Sequence, residues 1–140
     1  MRTPSLEARI ERKLRRRKGD VFLREDFASE GGYDQVGRAL RMLTRKGRLI
    51  RIGYGLYVRA APSVFDGRPS PVKGIRSLAE EALRRLGAKA YPSALTRAYN
   101  EGRTTQVPSG RVIATDKRVR RKIGIDGSYV KLERAPADAK

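Results

Sequence analysis

The sequence predicts an α+β protein, and three features support this class. A stretch with helical periodicity, residues 33–46, ends at a glycine. Apolar alternation then runs through residues 49–52 and 56–58 around a Gly-Tyr-Gly turn, which is typical of a two-stranded hairpin. Further along, two more helical stretches precede a second strand-like region, so helices and strands recur in both parts of the chain.

The charge composition indicates the class of partner. The 140 residues include 33 Lys and Arg against 15 Asp and Glu, a formal net charge of +18. Residues 1–59 and 60–140 each carry +9, so the excess is not confined to a tail. A surplus of this size favours a polyanion, with nucleic acid ahead of an anionic membrane. The alternative is a basic surface that serves only solubility.

Several kinds of chemistry are missing. Cysteine and histidine are absent, which excludes disulfides, thiolate metal sites and histidine-based catalysis. A nuclease that uses only Asp and Glu stays formally open, but we expect no enzyme, no metal and no cofactor. No apolar run approaches the ~20 residues of a membrane span, and no signal peptide is evident. We expect a cytoplasmic protein with no membrane partner.

The first sixty residues contain the elements of a winged helix-turn-helix. Pro4-Ser5 begins a helix with Leu6, Ile10 and Leu14 on its apolar face. A short strand at 20–23, a short helix at 24–28, the helix at 33–46 and the hairpin follow in the order of that fold. The first helix is strongly basic, and its end supplies two candidate phosphate contacts, Arg16 and Arg17.

The helix at 33–46 is the candidate recognition helix. Four apolar residues share one face, Val36, Ala39, Leu40 and Leu43, and the opposite face carries Arg38, Arg41 and Arg45. Arginine reads guanine with two donors in the major groove, and Gln35 is suited to adenine. Tyr33 lies at the helix N-terminus, where Asp34 is the expected cap. The alternative is an ordinary solvated helix face.

The hairpin supplies the candidate wing. Arg48, Arg51 and Arg59 flank its turn and Tyr54 occupies the tip, so we expect these residues to contact phosphates or enter a minor groove. For Tyr54, packing on a neighbour is an equal alternative.

Residues 60–71 contain three prolines and a glycine and are predicted to be a linker between domains 1–59 and 72–134. The second domain is predicted to be a small helix-helix-β-hairpin unit. Its helices begin near Ile75 and Ser93, its strands cover 111–115, 122–125 and 129–132, and Asp126-Gly127 forms a hairpin turn. Residues 135–140 are expected to be a disordered tail.

A basic cluster precedes the hairpin of the second domain and consists of Arg118, Arg120, Arg121 and Lys122. These side chains are candidate phosphate contacts that would extend the footprint on nucleic acid. Binding to an acidic partner and simple solvation are the alternatives.

Several segments of the first part together resemble a known domain: Asp26-Phe27, the Gly31-Gly32 turn, 36–40, Leu43, Lys46-Gly47, 49–52 and 55–57. The pattern is similar to the N-terminal winged helix of AbiEi-type antitoxins from type IV toxin-antitoxin, or abortive infection, systems and their small uncharacterised relatives. The segment after residue 71 matches the family's second domain more loosely, and this segment is shorter than that domain.

The resemblance implies an autoregulating, DNA-binding repressor of a two-gene operon whose second gene encodes a nucleotidyltransferase-like toxin. By position, it implies base contacts from Gln35, Arg38, Arg41 and Arg45, and wing contacts from Arg51 and Tyr54.

We therefore expect a sequence-specific repressor that binds double-stranded promoter or operator DNA. Such proteins usually bind inverted repeats as homodimers, and a monomer that binds through both basic halves stays open. A structural, ribosome-associated RNA-binding protein is the first alternative, although few aromatic side chains are present for base stacking. A protein-interaction module is the second.

Overall fold

The computed structural model describes residues 3–136 and confirms the α+β class. Contacts divide the chain into two compact units, the first ending at Lys73 and the second beginning at Gly74. No helix in the described part is long and apolar enough to cross a membrane.

The first unit follows the predicted order of elements. Its helices and strands are α1 (Leu6–Arg16), β1 (Val21–Leu23), a 3-10 turn (Arg24–Phe27), α2 (Tyr33–Arg45), β2 (Leu49–Gly53), β3 (Leu56–Pro62) and β4 (Pro69–Pro71). Ser5 caps α1, its Oγ accepting a hydrogen bond from the Ala8 N–H at 3.1 Å. Gly47 follows α2 with a φ of +77°, which agrees with its prediction as the helix-ending glycine.

Strand β3 is central to the sheet of this unit. It pairs antiparallel with β1, with Phe22 opposite Tyr57, and with β2, with Ile50 opposite Val58. The predicted short strand before the 3-10 turn is therefore present, and it pairs with the hairpin. Helices and sheet enclose one apolar core, whose largest fully buried members are Phe22, Phe27, Ile10, Leu40, Leu43 and Leu49. The apolar faces predicted for α1 and α2 lie in this core.

The linker prediction for residues 60–71 was wrong. β3 continues to Pro62, turns, and pairs with β4 over three residues, ending with Pro62 opposite Pro69. Pro lacks a backbone donor but is tolerated at a sheet edge, and β4 pairs with β3 alone among the described strands. The three prolines therefore belong to a second hairpin, and the division between units falls after it.

The second unit contains α3 (Ile75–Arg85), β5 (Ala90–Pro92), α4 (Ala94–Asn100), β6 (Val112–Thr115), β7 (Gly124–Ile125), β8 (Ser128–Tyr129) and β9 (Lys131–Arg134). Its main sheet has the order β5-β6-β9, with β6 and β9 parallel. The predicted turn is present: Asp126 and Gly127 have φ of +52° and +79°, the signs of a type I′ turn between β7 and β8.

Three details of this unit differ from the prediction. β5 was not predicted, because three residues that include a proline carry no periodic signal. The strand predicted at 129–132 is divided: β8 pairs with β7, whereas β9 pairs with β6. The predicted tail also begins too early, since Ala135 is buried and its N–H donates to the Thr115 carbonyl at 2.8 Å. Residues 137–140 of that tail lie outside the described residues.

Candidate nucleic-acid interface

The exposed face of α2 carries the predicted arginines. Arg38, Arg41 and Arg45 are all exposed, opposite the buried apolar face of the same helix. Within residues 3–136, the side chains of Arg38 and Arg41 make no hydrogen bond or ion pair. The one polar contact described for Arg45 is with the Met42 sulfur, 4.0 Å from Nη1. Three guanidinium groups therefore face solvent on one side of one helix.

Three carboxylates of the first unit pair with cations outside the arginine face of α2. Those of α1 pair with cations outside the arginine face: Glu7 lies 2.5 Å from Lys46 and Glu11 lies 3.5 Å from Arg48. Glu30 lies 3.5 Å from the Nε of Arg9. These pairs partly neutralise the basic side chains near α1 and leave the charge of the α2 arginines uncompensated, which is the arrangement that attracts a polyanion.

The start of α2 differs from the prediction. Gly32, and not Asp34, is the N-cap residue. The Oε1 atom of Gln35 accepts a hydrogen bond from the Gly32 N–H at 3.3 Å, which is the half of a capping box that a glycine N-cap allows. A bidentate contact to adenine uses both the oxygen and the nitrogen of the amide. Gln35 can therefore make this contact to adenine only if its oxygen shares or loses the hydrogen bond from the Gly32 N–H.

The predicted helix and hairpin residues meet at one end of α2. The Oη atoms of Tyr33 and Tyr54 lie 3.2 Å apart, although the two residues are 62% and 64% exposed. Tyr33 is the first residue of α2, and Tyr54 lies in the turn between β2 and β3. The hydrogen bond to Tyr54, aided by desolvation, raises the pKa of the Tyr33 phenol, while the charge of Arg24 opposes the shift. The bond thus holds the hairpin tip beside the helix N-terminus.

Arg24 positions this end of the helix, and the sequence analysis missed it. Its Nε donates to the Tyr33 carbonyl at 3.1 Å, and its guanidinium carbon lies 3.4 Å from the centroid of the Tyr33 ring. A second nitrogen lies 3.9 Å from Asp34. Arg24 lies directly across the buried Gly37, where a Cβ atom would overlap the guanidinium group. A glycine inside an otherwise regular helix is the sequence signal that points to such a close approach.

The three hairpin arginines have different environments. Arg51 is exposed and donates through Nε to the Gly53 carbonyl at 3.1 Å, which keeps it beside the turn. Arg48 lies at the other end of β2 and pairs with Glu11. The side chain of Arg48 is still 64% exposed, so a phosphate can compete for it.

Arg59 differs from the other two hairpin arginines because its guanidinium group is engaged within the first unit, and its phosphate contact stays a prediction. Its Nη2 donates to the carbonyls of Leu14 and Arg17 at 2.5 and 2.7 Å, and its Nε donates to Gly19 at 3.1 Å. Nε also lies 3.4 Å from the Asp20 carboxylate. These acceptors occupy the guanidinium fork, so Arg59 fixes the end of α1 to the sheet.

The outer phosphate-contact candidates are also of two kinds. Arg16 is exposed at the end of α1, whereas Arg17 lies 3.7 Å from the nearly buried carboxylate of Asp26. In the second unit, Arg118 and Arg120 are exposed and Arg121 is half-buried. Nζ of Lys122 lies 5.5 Å from the centroid of the Tyr129 ring, within cation–π range.

The described residues contain no group of three or more acidic side chains arranged to hold a metal ion. The groups that the candidate interface does expose are arginine side chains and the rings of Tyr33 and Tyr54. Arginine donors suit phosphates, and aromatic rings suit bases.

Comparison with curated proteins and with solved structures found no match. One family model matches residues 9–137, which include nearly all of both units, and its description is a family of unknown function. The resemblance to AbiEi-type antitoxins stays a prediction. The match is long enough to place the protein: the chain belongs to DUF6088, a family of unknown function.

Proposed function

We propose that this protein is a sequence-specific, double-stranded DNA-binding transcriptional repressor. In this proposal the first unit acts as a winged helix-turn-helix, with α2 as recognition helix and the β2–β3 hairpin as wing. One observation carries the proposal: α2 presents Arg38, Arg41 and Arg45 on an exposed face, and no carboxylate of the described residues pairs with them.

The spacing of these arginines suits a major groove. Arg38 and Arg45 are separated by seven positions, about 10 Å along an α-helix, or roughly three base-pair steps. Each guanidinium group can donate two hydrogen bonds to one guanine, and each such pair is worth about 1–3 kcal/mol of discrimination. The three side chains therefore suit the reading of a short, guanine-containing half-site.

The hairpin would supply orientation and affinity. Arg51 and Tyr54 lie at its turn, and the Tyr33–Tyr54 hydrogen bond sets the position of that turn relative to the first residue of α2. A phosphate contact at the turn would thus fix the register of the helix in the groove. Further phosphate contacts would come from Arg16 and from the basic cluster of the second unit, residues 118–122.

Autorepression and an antitoxin role rest on the resemblance to AbiEi-type antitoxins. Autorepression predicts that the repressed promoter is the gene's own. The antitoxin role predicts that an adjacent gene encodes a nucleotidyltransferase-like toxin. Co-expression with that neighbour tests the antitoxin role. A DNase I footprint over an inverted repeat, together with the stoichiometry of the complex, tests whether a homodimer binds.

The experiment that tests DNA binding compares three fluorescent probes at two salt concentrations: the gene's own upstream duplex, a scrambled duplex of equal length, and a structured RNA. The proposal predicts a preference of at least ~10³ for the upstream duplex, the low end for specific DNA-binding proteins. Equal binding to all three that disappears as salt rises contradicts it, because that result describes counterion release without base readout. A preference for the RNA supports the ribosome-associated alternative.

A further inference from the structure

The loop of the second hairpin exposes two apolar side chains. Residues 63–68 join β3 to β4, and within this loop Val64 and Phe65 are 93% and 96% exposed. We call these two residues the apolar tip. They are the most exposed large hydrophobic side chains among the described residues. Adjacent exposed apolar side chains of this size are a feature of binding surfaces, and the apolar tip is therefore a candidate contact.

The loop holds the apolar tip in a defined position. The Ser63 N–H donates to the Arg68 carbonyl at 2.8 Å, and the Gly67 N–H donates to the Ser63 carbonyl at 2.9 Å. Side chains close the loop further: the Phe65 N–H donates to Ser63 Oγ at 3.1 Å, and the Arg68 N–H donates to Asp66 Oδ1 at 3.0 Å. The tip is therefore presented on an ordered turn, so little entropy is lost when it binds.

The stem of this hairpin is attached at the C-terminal end of α2. Gly47, two residues beyond that helix, lies so near Pro69 that a Cβ atom on the glycine would be 2.7 Å from the proline Cγ. The other hairpin meets α2 at its first residue, through Tyr33 and Tyr54. One hairpin thus contacts each end of the helix that carries the exposed arginines.

We infer that the apolar tip is a wedge that enters the minor groove beside the α2 site and opens one base step. This inference rests on the proposed DNA-binding function. Apolar side chains, phenylalanine among them, are inserted between base steps by proteins that kink DNA. The neighbouring Arg68 is 85% exposed and 4.0 Å from Asp66, so it can reach a phosphate when the tip approaches the duplex.

The size of the tip favours DNA over a protein partner. Two side chains of this size offer roughly 300 Å² of surface. A stable protein–protein interface needs about 800 Å² on each partner. A wedge contacts only one base step, so a small apolar surface is sufficient for it. Phosphate contacts elsewhere on the protein would supply most of the binding energy, and the net charge of +18 suits such contacts.

Tryptophan fluorescence tests the insertion directly. The chain contains no tryptophan, so Phe65→Trp introduces a single reporter at the tip. Upon binding of the upstream duplex, the wedge predicts quenching of its emission by base stacking and loss of its accessibility to acrylamide. Val107→Trp, at a position 70% exposed in the second unit, is the matched control and should keep its accessibility. If Phe65→Trp binds the duplex with unchanged emission and accessibility, the wedge is wrong while the DNA-binding proposal stands.

A second variant, Val64→Ser/Phe65→Ser, measures what the wedge contributes. We expect affinity for the upstream duplex to fall about tenfold or more. The bend measured by energy transfer between the duplex ends should also decrease, while the preference over scrambled DNA is retained. Unchanged affinity and bending overturn the wedge. A change in oligomeric state without DNA shows instead an interface between copies, and absence of DNA binding by the unmodified protein overturns both proposals.

Discussion

The phenol oxygens of Tyr33 and Tyr54 lie 3.2 Å apart and join the first residue of α2 to the tip of the β2–β3 hairpin. Arg24 stacks on the Tyr33 ring and donates to the Tyr33 carbonyl, so Tyr33 is held by Arg24 as well as by Tyr54. Since the first of the α2 arginines, Arg38, lies five residues after Tyr33 on the same helix, this cluster sets where the hairpin tip lies relative to the arginines.

Replacing Tyr54 by Phe should lower the pKa of Tyr33 toward its ordinary value, because the hydrogen bond to Tyr54 is the main cause of the raised pKa. The raised pKa means that the bond stabilises the fold below about pH 10 and that this contribution is lost as pH rises through the Tyr33 pKa. Titration of tyrosines carrying a ¹³C label in the ring, followed by NMR, measures the change. Tyr129→Phe is the control, and identical Tyr33 titrations in all three proteins contradict the assignment.

Replacing Arg24 by Ala should destabilise the protein by about 1–2 kcal/mol. The substitution removes the hydrogen bonds to the Tyr33 carbonyl and the stacking of the guanidinium group on the Tyr33 ring. Urea unfolding measures the loss. Arg12→Ala is the matched control: the exposed side chain of Arg12 makes no hydrogen bond or ion pair with the described residues, and its change should stay within about 0.5 kcal/mol. Equal stability of the two variants would show that Arg24 is not a positioning residue.

Replacing Arg59 by Lys should cost about 2–4 kcal/mol, since an ammonium group cannot reproduce the fork that reaches the carbonyls of Leu14, Arg17 and Gly19. The preference of the folded fraction for upstream over scrambled duplex should stay unchanged. Thermal unfolding and duplex binding are measured on the same samples. A variant that keeps its stability but binds DNA more weakly would contradict this account and show that Arg59 contacts phosphate.

Replacing Gly124 by Ala should disrupt the hairpin of the second unit, because its Cβ would meet the backbone of Ser128 and come within 2.6 Å of the Tyr129 Cα. We expect destabilisation of about 2–4 kcal/mol. Gly127→Asn is the control, since that position has open space and Asn tolerates its positive φ. Amide exchange across 124–129 distinguishes them, and protection in Gly124→Ala equal to that of the unmodified protein would contradict this account.

Periodicity and turn chemistry predicted most of the local structure. The buried and exposed faces of α2, the helix-ending Gly47 and the Asp126-Gly127 turn each depend on residues close in sequence, so their signals are local. The same reasoning misjudged residues 60–71, because prolines at a sheet edge resemble those of a linker.

The contacts that define the candidate site were not accessible from sequence patterns. Tyr33 and Tyr54 are 21 residues apart, and Arg59 reaches a carbonyl 45 residues earlier. Such pairs depend on how the sheet places α1 and α2, which periodicity does not encode. An exposed arginine and a half-buried one therefore have the same signal in the sequence, as Arg51 and Arg59 show.

The central claim is that α2 reads DNA bases, and Arg38→Ala/Arg41→Ala tests it most directly. Both side chains are exposed and unpaired within the described chain, so stability should change by less than about 0.5 kcal/mol per site. Binding to the upstream and scrambled duplexes is measured over a range of salt. Base readout predicts that the preference for the upstream duplex falls by about 1–3 kcal/mol for each arginine. An equal loss of affinity for both duplexes, with a salt dependence reduced by about one unit per arginine, would contradict it and assign these side chains to phosphates.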